Sequence, residues 1–369
     1  MILIIAYIAI LLFIIRSLLI FIGARKTKRK SVEDLQLDYQ PFVSIIVPAR
    51  NEENNIENAI TCISKSNYPI DNYEIIAVND RSKDNTLKIL DKLALSIPNL
   101  KIINISEANK NNNLRGKPGA LDYGINISKG ELILMTDADC EVNPKWISTI
   151  VKYFSNPKVN IVSAYTTLKG DRIFDKIQAV QWVYLHKMAS AGPAFNYPLG
   201  CFGTNLAIRR NIYKEIGGYS KIPFSITEDY ALLKTIMKMG GIATYITNPD
   251  AVVETNPCKS FPDLVSQLRR WGRGGLDLKW VAFFFVLSSV AVWGALLATL
   301  FSGQYLLFLI LLTVRLVSDS ILISQALIGI GKSNIVKWTL PAVAFFLIME
   351  LLIPPLVFKS NIKWKGQIF

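Results

Sequence analysis

The sequence predicts an α/β protein in which a mixed, mostly parallel sheet carries helices on both faces and is joined to transmembrane helices. Three observations lead there. Apolar, β-branched runs alternate with helical patterns from Pro41 onward; carboxylates and amides gather just behind those runs; and the first 22 and last 90 of the 369 residues are far more apolar than the middle. Continuous apolar strands separated by helices mark a parallel sheet covered on both faces.

The elements follow in order. Residues 1–23 (ILIIAYIAILLFIIRSLLIFIG after the first Met) have the length of about 20 residues needed to cross a bilayer. The charges Arg25, Lys26, Lys28, Arg29 and Lys30 come after the apolar stretch, the reverse of a cleaved signal peptide. The positive-inside rule keeps them cytoplasmic, with the N-terminus outside and the middle of the chain in the cytosol. Arg16, inside the span, must snorkel or face protein. Residues 24–40 read as a basic and polar linker, and 41–257 as the cytosolic domain. Within it, 43–48, 73–80, 101–105 and 131–139 read as strands, with helical patterns between them. Three further strand-like runs, NIVSAYTTL, GCFGTNLAIRR and GGIATYIT, follow. SITEDYALLKTIMKMGG reads as a helix capped by Ser225 or Thr227 and stopped at Gly240-Gly241.

In 258–278 the apolar Phe261, Leu264, Val265, Leu268 and Trp271 recur at helical spacing, as on an amphipathic helix lying on a membrane. Three apolar segments occupy 279–358, near 279–301, 304–330 and 336–358. In the second, Arg315 and Asp319 stand four apart and read as an ion pair inside the bundle. Four spans return the C-terminus to the outside, whereas the basic tail at 359–369 (KSNIKWKGQ) favours the cytosol; an interfacial or re-entrant segment would reconcile the two.

Composition narrows the chemistry. The net charge of +13 lies largely beside apolar segments, where it orients the chain and meets lipid, so nucleic acid is not a partner. Cys62, Cys140, Cys201 and Cys258 are scattered, which fits a reduced compartment without a zinc site or disulfide framework. With His186 as the sole histidine, a multi-histidine metal site is excluded; His186 itself reads as a structural residue of a helix.

Open parallel sheets bind ligands at the carboxyl ends of their strands. Those ends here are PARNE, with Pro48, Arg50 and Glu52; NDRSKD, with Asp80; and TDADC, with Asp137 and Asp139. Aspartates two apart at a strand end point to one side, a geometry that suits Mg²⁺ or Mn²⁺ held against a diphosphate. A diphosphate leaving group also needs cations, for which Lys117 and Arg270 are candidates.

The set VPARNEE, Asp80, Lys117, TDADC, TED and QLRRW, spread from Val43 to Trp271, resembles the family-2 glycosyltransferases of GT-A fold. The likeness is to their membrane-integrated branch of cellulose, hyaluronan, chitin and poly-N-acetylglucosamine synthases and to relatives that glucosylate lipids. It implies that Pro48, Arg50, Glu52 and Asp80 hold the nucleoside side of a donor, with Lys117 and Asp137 at its diphosphate. Asp139, with Asp137 beside it, takes the metal. Asp229, preceded by Glu228, is the general base; Gln267 and Arg270 hold donor phosphates. Trp271 forms the acceptor platform, with Gly203 and Thr204 near it. Two departures stand out: KPGAL replaces a KxGN-type sequence, and GCFGTN exchanges the aromatic and cysteine of the polymer synthases.

The expected activity is inverting, metal-dependent transfer from a nucleotide sugar, UDP-linked, to a lipid or lipid-linked short glycan at the cytosolic face. A processive polysaccharide synthase, which would need an export or assembly partner, is the alternative. A non-catalytic nucleotide-sugar-binding subunit and a nucleotidyltransferase are the readings from other classes, and neither explains TED together with QLRRW.

Overall fold

The computed structural model describes all residues except 1, 33–34, 37, 106–113, 115, 224, 226, 358–362, 365–366 and 369. The chain runs α1 (Ile2–Ser31), β1 (Val43–Ala49), α2 (Ile56–Ser64), β2 (Tyr73–Asp80), α3 (Thr86–Ala94), β3 (Leu100–Ile105), α4 (Lys117–Ile127) and β4 (Leu132–Met135). It continues with β5 (Glu141–Val142), α5 (Trp146–Val151), β6 (Val159–Ala164), β7 (Thr166–Leu168), α6 (Ile173–Ala189), β8 (Leu206–Arg209), α7 (Arg210–Glu215), α8 (Glu228–Lys238), β9 (Ile242–Ile246) and β10 (Val253–Thr255). Last come α9 (Phe261–Gly275), α10 (Trp280–Phe301), α11 (Tyr305–Gly329), α12 (Thr339–Val357) and the short pair β11 (Lys363–Trp364) and β12 (Gln367–Ile368).

Seven strands form one sheet in the order β3-β2-β1-β4-β8-β6-β9. The first four are parallel, and β8 enters antiparallel between β4 and β6. Alternation along the strands divides the core between two faces. Val43, Ile45 and Val47 pack with Ile75 and Ala77 beneath α2, α3 and α5, while Ile46, Ile76 and Val78 meet α4 and α8 on the other side. A Cβ on Gly124 of α4 would come within 2.8 Å of Ile46, so only glycine permits this close helix–sheet approach. A small second sheet, β5-β10-β7, lies beside the first.

Among the described residues four helices, including α1, are long and apolar enough to cross a membrane. At their centre Arg16 donates to Asp319 at 2.9 Å, Arg315 pairs with the same carboxylate at 2.8 Å, and Arg315 also reaches Glu350. Arg16 therefore faces protein, and the Arg315–Asp319 pair lies inside the bundle as expected. Tyr184 of α6 adds a hydroxyl 3.3 Å from Asp319, and both guanidiniums lie over the Phe13 ring. Charges taken out of water hold only where opposite charges pair with them.

The structure departs from the sequence reading in several places. The helix of the first span does not stop at residue 23 but continues to Ser31, through the basic residues assigned to a linker, because Ala24, Thr27 and Ser31 continue its buried face. The fourth strand ends at Met135, so TDAD is a turn closed by a Cys140 N–H bond to the Asp137 carbonyl at 3.1 Å. Thr227 occupies the N-cap of α8, but its side chain makes no capping bond. The apolar face of α9 packs Leu264 and Leu268 against Met349 of α12, a protein contact in place of bare lipid. Most of the tail beyond 357 lies outside the described residues.

Removing the shared carboxylate leaves the buried Arg16 guanidinium without its partner and Arg315 with Glu350 alone. We expect Asp319→Ala to cost about 3–5 kcal/mol, read as a lowered unfolding temperature in detergent.

Candidate functional site

Strand register brings the functional residues to one edge. Ala49 of β1 aligns with Asn79 of β2, and Ile46 with Met135 of β4, so Arg50, Asp80 and the TDAD turn emerge side by side. Since β8 runs antiparallel, its beginning meets the end of β4, Leu206 opposite Met135, and delivers Gly203 and Thr204 to the same edge. The loops are then pinned to each other. Asn51 N–H donates to Ser82 Oγ at 3.0 Å, Asn51 Oδ1 accepts the Lys83 N–H at 2.8 Å, and Glu52 N–H donates to Thr86 Oγ1 at 2.8 Å.

The result is a cleft of about 280 Å³. Pro48, Arg50, Glu52, Asp80, Lys117, Asp137, Asp139, Gly203, Thr204, Glu228, Asp229, Gln267, Arg270 and Trp271 all line it. Every candidate donor, acceptor, metal and base residue from the sequence thus lines one cleft.

Electrostatics knit the cleft across its width. Lys117, at the start of α4, places its ammonium 2.6 Å from Asp137 Oδ1 and 3.5 Å from Glu228 Oε1. Burial alone would lower its pKa; Asp137 and Glu228 outweigh that and raise it, so the group is a fixed cation. Asp229, in the first turn of α8, accepts the Gly203 N–H with Oδ2 and the Tyr230 N–H with Oδ1, both at 2.8 Å. Burial and the neighbouring Glu228 carboxylate nevertheless push its pKa up to about 6, against the lowering influence of Lys117 and the two N–H donors. Asp80 is buried and accepts from Arg81 at 2.7 Å, with Arg50 at 3.9 Å.

Among the described residues no three His, Cys, Asp or Glu side chains gather as a metal site. Asp137 and Asp139 offer hard carboxylate oxygens, with Lys117 on one Asp137 oxygen and the Cys140 thiol 3.7 Å from Asp139 Oδ1. Such a pair fits a divalent ion that completes its shell with water and substrate phosphate.

Across the cleft, α9 presents Gln267, Arg270 and Trp271. The Gln267 Oε1 atom is buried and has no hydrogen-bond partner among the described residues. Trp271 stands edge-on to Trp182 at 5.0 Å and to Phe202 at 6.2 Å, and Phe202 rests on His186 at 4.1 Å. His186 is fully buried, accepts the Thr166 N–H at 3.1 Å and bonds Tyr245; burial depresses its pKa to about 3, keeping it neutral. Its structural reading holds. Cys201 is buried and donates its thiol to the Asp229 carbonyl.

Three contributors escaped the sequence reading. Trp182 lines the cleft from α6 and sits one helical turn before His186, a spacing visible in the sequence; Phe202, the aromatic of GCFGTN, also lines it; Arg81 holds Asp80 from the next position.

Residues 44–217 match the model of Glycosyl transferase family 2, and residues 132–354 that of Glycosyl transferase family group 2. The chain is a family-2 glycosyltransferase. The probable glycosyltransferase YdaM of Bacillus subtilis is 27% identical over 324 residues, 84% of this chain and 72% of its own. The beta-monoglucosyldiacylglycerol synthase of Trichormus variabilis is 35% identical over 122 residues, 33% of this transferase and 25% of the relative. A mannosyltransferase of Pyrobaculum calidifontis, solved with GDP-Man and Mn²⁺, superposes with a TM-score of 0.59 at 21% identity, over 93% of this chain and 99% of that one. The shared fold is GT-A.

The transferase carries a contact between its two functional helices. A Cβ on Gly274 of α9 would lie 2.4 Å from the Thr227 methyl, immediately before Glu228 and Asp229, whereas one on Gly275 would meet nothing within 4 Å. We expect Gly274→Ala to lower kcat by about 10- to 100-fold by displacing that turn, and Gly275→Ala to leave it unchanged, in a sugar-transfer assay.

Proposed function

We propose that this transferase moves a sugar from a nucleoside-diphosphate donor, UDP-linked, to a lipid or lipid-linked short glycan at the cytosolic face of the membrane, with inversion and with Mg²⁺ or Mn²⁺. The observation that carries the reading is the placement of Asp229. It is a carboxylate with a pKa raised to about 6, facing the same cleft as Asp137, Asp139 and Lys117 but held on a separate helix. A base opposite the leaving group needs that separation.

In this account Asp229 accepts the proton of the acceptor hydroxyl as its oxygen attacks the anomeric carbon. The bond from that carbon to the β-phosphate oxygen breaks, and the electron pair leaves with the nucleoside diphosphate. Arg270, through its guanidinium, and Gln267, through its amide N–H₂, hold the phosphates. Asp139, with Asp137, would hold the metal, which when bound supplies positive charge against the diphosphate. Glu52 and Asp80 orient the nucleoside. Trp271, Trp182 and Phe202 offer apolar faces to a sugar ring.

A lipid-borne acceptor is supported by two facts. Trp182 and Trp271 stand on α6 and α9, both packed against membrane-type helices; and one relative is named for transfer to a lipid. Orientation is supported by charge. Arg25 to Lys30, Lys279, Lys332 and Lys337 lie at helix ends on the catalytic side, while the turn Ser302–Gln304 at the opposite end is uncharged.

Purified protein with membrane lipids, Mn²⁺ or Mg²⁺ and radiolabelled nucleotide sugars should carry label into the organic extract; label in insoluble polymer would favour the processive reading. Asp229→Asn should retain donor binding and lose transfer by about 10²- to 10⁴-fold, and wild-type turnover would refute the base. Because the base must be ionised, kcat should rise with pH through a midpoint near about 6. Glu228→Gln removes a raising influence and should move that midpoint down.

A further inference from the structure

His186 takes no part in the chemistry above, yet it lies directly behind residues that face the acceptor side of the cleft. Four consecutive residues, Phe202 to Asn205, lead into β8, and each is tied to its own partner. The Phe202 ring rests on the His186 imidazole at 4.1 Å. The Gly203 N–H donates to Asp229 Oδ2 at 2.8 Å. The Thr204 hydroxyl meets the Thr166 hydroxyl at 2.8 Å. The Asn205 amide donates to the Tyr165 and Ala251 carbonyls, both at 2.8 Å, and its Oδ1 accepts the Trp146 indole N–H at 3.0 Å.

Three of these ties converge on His186. Its Nε2 accepts the Thr166 N–H at 3.1 Å, so the residue that holds Thr204 is itself held by the imidazole. Tyr165, whose carbonyl holds Asn205, stacks its ring on the same imidazole at 5.3 Å. With Nε2 accepting, the proton of the neutral ring stands on Nδ1, directed at the Tyr245 hydroxyl, which fixes the tautomer and the plane of the ring. His186 and Thr166 have no exposed surface, whereas Phe202, Gly203 and Thr204 line the cleft. A hydroxyl bonded once keeps capacity for a second partner, and of the two threonines only Thr204 reaches the cleft to use it.

We propose that His186 and Thr166 are positioning residues for a hydroxyl-bearing acceptor. The imidazole, through Phe202 and the Thr166 N–H, and Thr166, through its hydroxyl, set where Phe202 and Thr204 meet that acceptor. Gly203, between these two contacts, donates to Asp229, so base and acceptor hydroxyl share one frame. The inference rests on the acceptor standing beside Asp229 and Trp271 and is the same for a lipid or a polymer acceptor.

The test is sugar transfer by full-length protein in detergent micelles, with radiolabelled nucleotide sugar and extracted membrane lipid as the acceptor source. Label is followed in whichever fraction carries it, organic extract or insoluble polymer. The fraction decides the acceptor class and the half-saturating amounts decide this proposal, so either can fail without the other. Thr166→Val keeps the side chain's shape and removes its hydroxyl. It should raise the half-saturating amount of lipid extract about three- to ten-fold, the loss of one neutral hydrogen bond, and leave half-saturation by the donor unchanged. Thr166→Ser should restore the wild-type value, and Thr166→Val should add nothing in a Thr204→Val background. His186→Gln, whose Oε1 can accept the Thr166 N–H in place of Nε2, should fall between wild type and His186→Leu; the Thr166 variants decide the matter whether or not His186→Leu folds. A donor half-saturation that rises with the lipid value, an equal loss in Thr166→Ser, or additive effects of Thr166→Val and Thr204→Val would overturn the proposal.

Discussion

The cleft depends on one ammonium. Asp137, Asp139, Glu228 and Asp229 come together from a sheet edge and a helix start, and such carboxylates repel one another wherever water is scarce. Lys117 stands between them, on Asp137 at 2.6 Å and within 3.5 Å of Glu228, and ties the turn behind β4 to the first turn of α8. The TDAD turn and the first turn of α8, to which the proposed metal and base are assigned, are thereby held as one unit. A Cβ on Gly203 would lie 3.2 Å from the same ammonium, so the backbone that donates to Asp229 is also fitted around Lys117.

Topology then sets the division of labour. The parallel strands deliver acidic loops to one rim, and the antiparallel β8 turns the chain so that Gly203 and Thr204 arrive beside them. The helix α9 closes the cleft from the other side and touches the start of α8 through Gly274. Below, α6 links two environments: Trp182 in the cleft and Tyr184 against the buried Asp319. Packing of the membrane helices and geometry of the cleft are therefore not independent.

Much of this was legible in the sequence because the signals were local. Continuous apolar strands such as YEIIAVND marked the sheet, and the residues behind them had to be at its carboxyl edge. Long apolar runs marked the membrane helices, and the spacing of Arg315 and Asp319 marked their pair. What was not legible depends on distance. Nothing local tells that Asp319 also receives Arg16 from 303 residues away, or that Lys117 is shared between TDAD and TED. The helix continuing to Ser31 was hidden because charged residues resemble a linker until the buried Ala24, Thr27 and Ser31 are seen against a partner. Trp182 was passed over for the same reason: its role appears only when α9 brings Trp271 alongside.

The central claim is that Lys117 sets the charge state of the catalytic wall. The pH–rate profile of Lys117→Met tests it most directly. Lys117 lowers the Asp229 pKa, so its loss should move the acid-side midpoint of kcat upward from about 6, whatever happens to the maximal rate. A midpoint that stays in place or moves down would show that Lys117 does not govern Asp229, and would contradict the account.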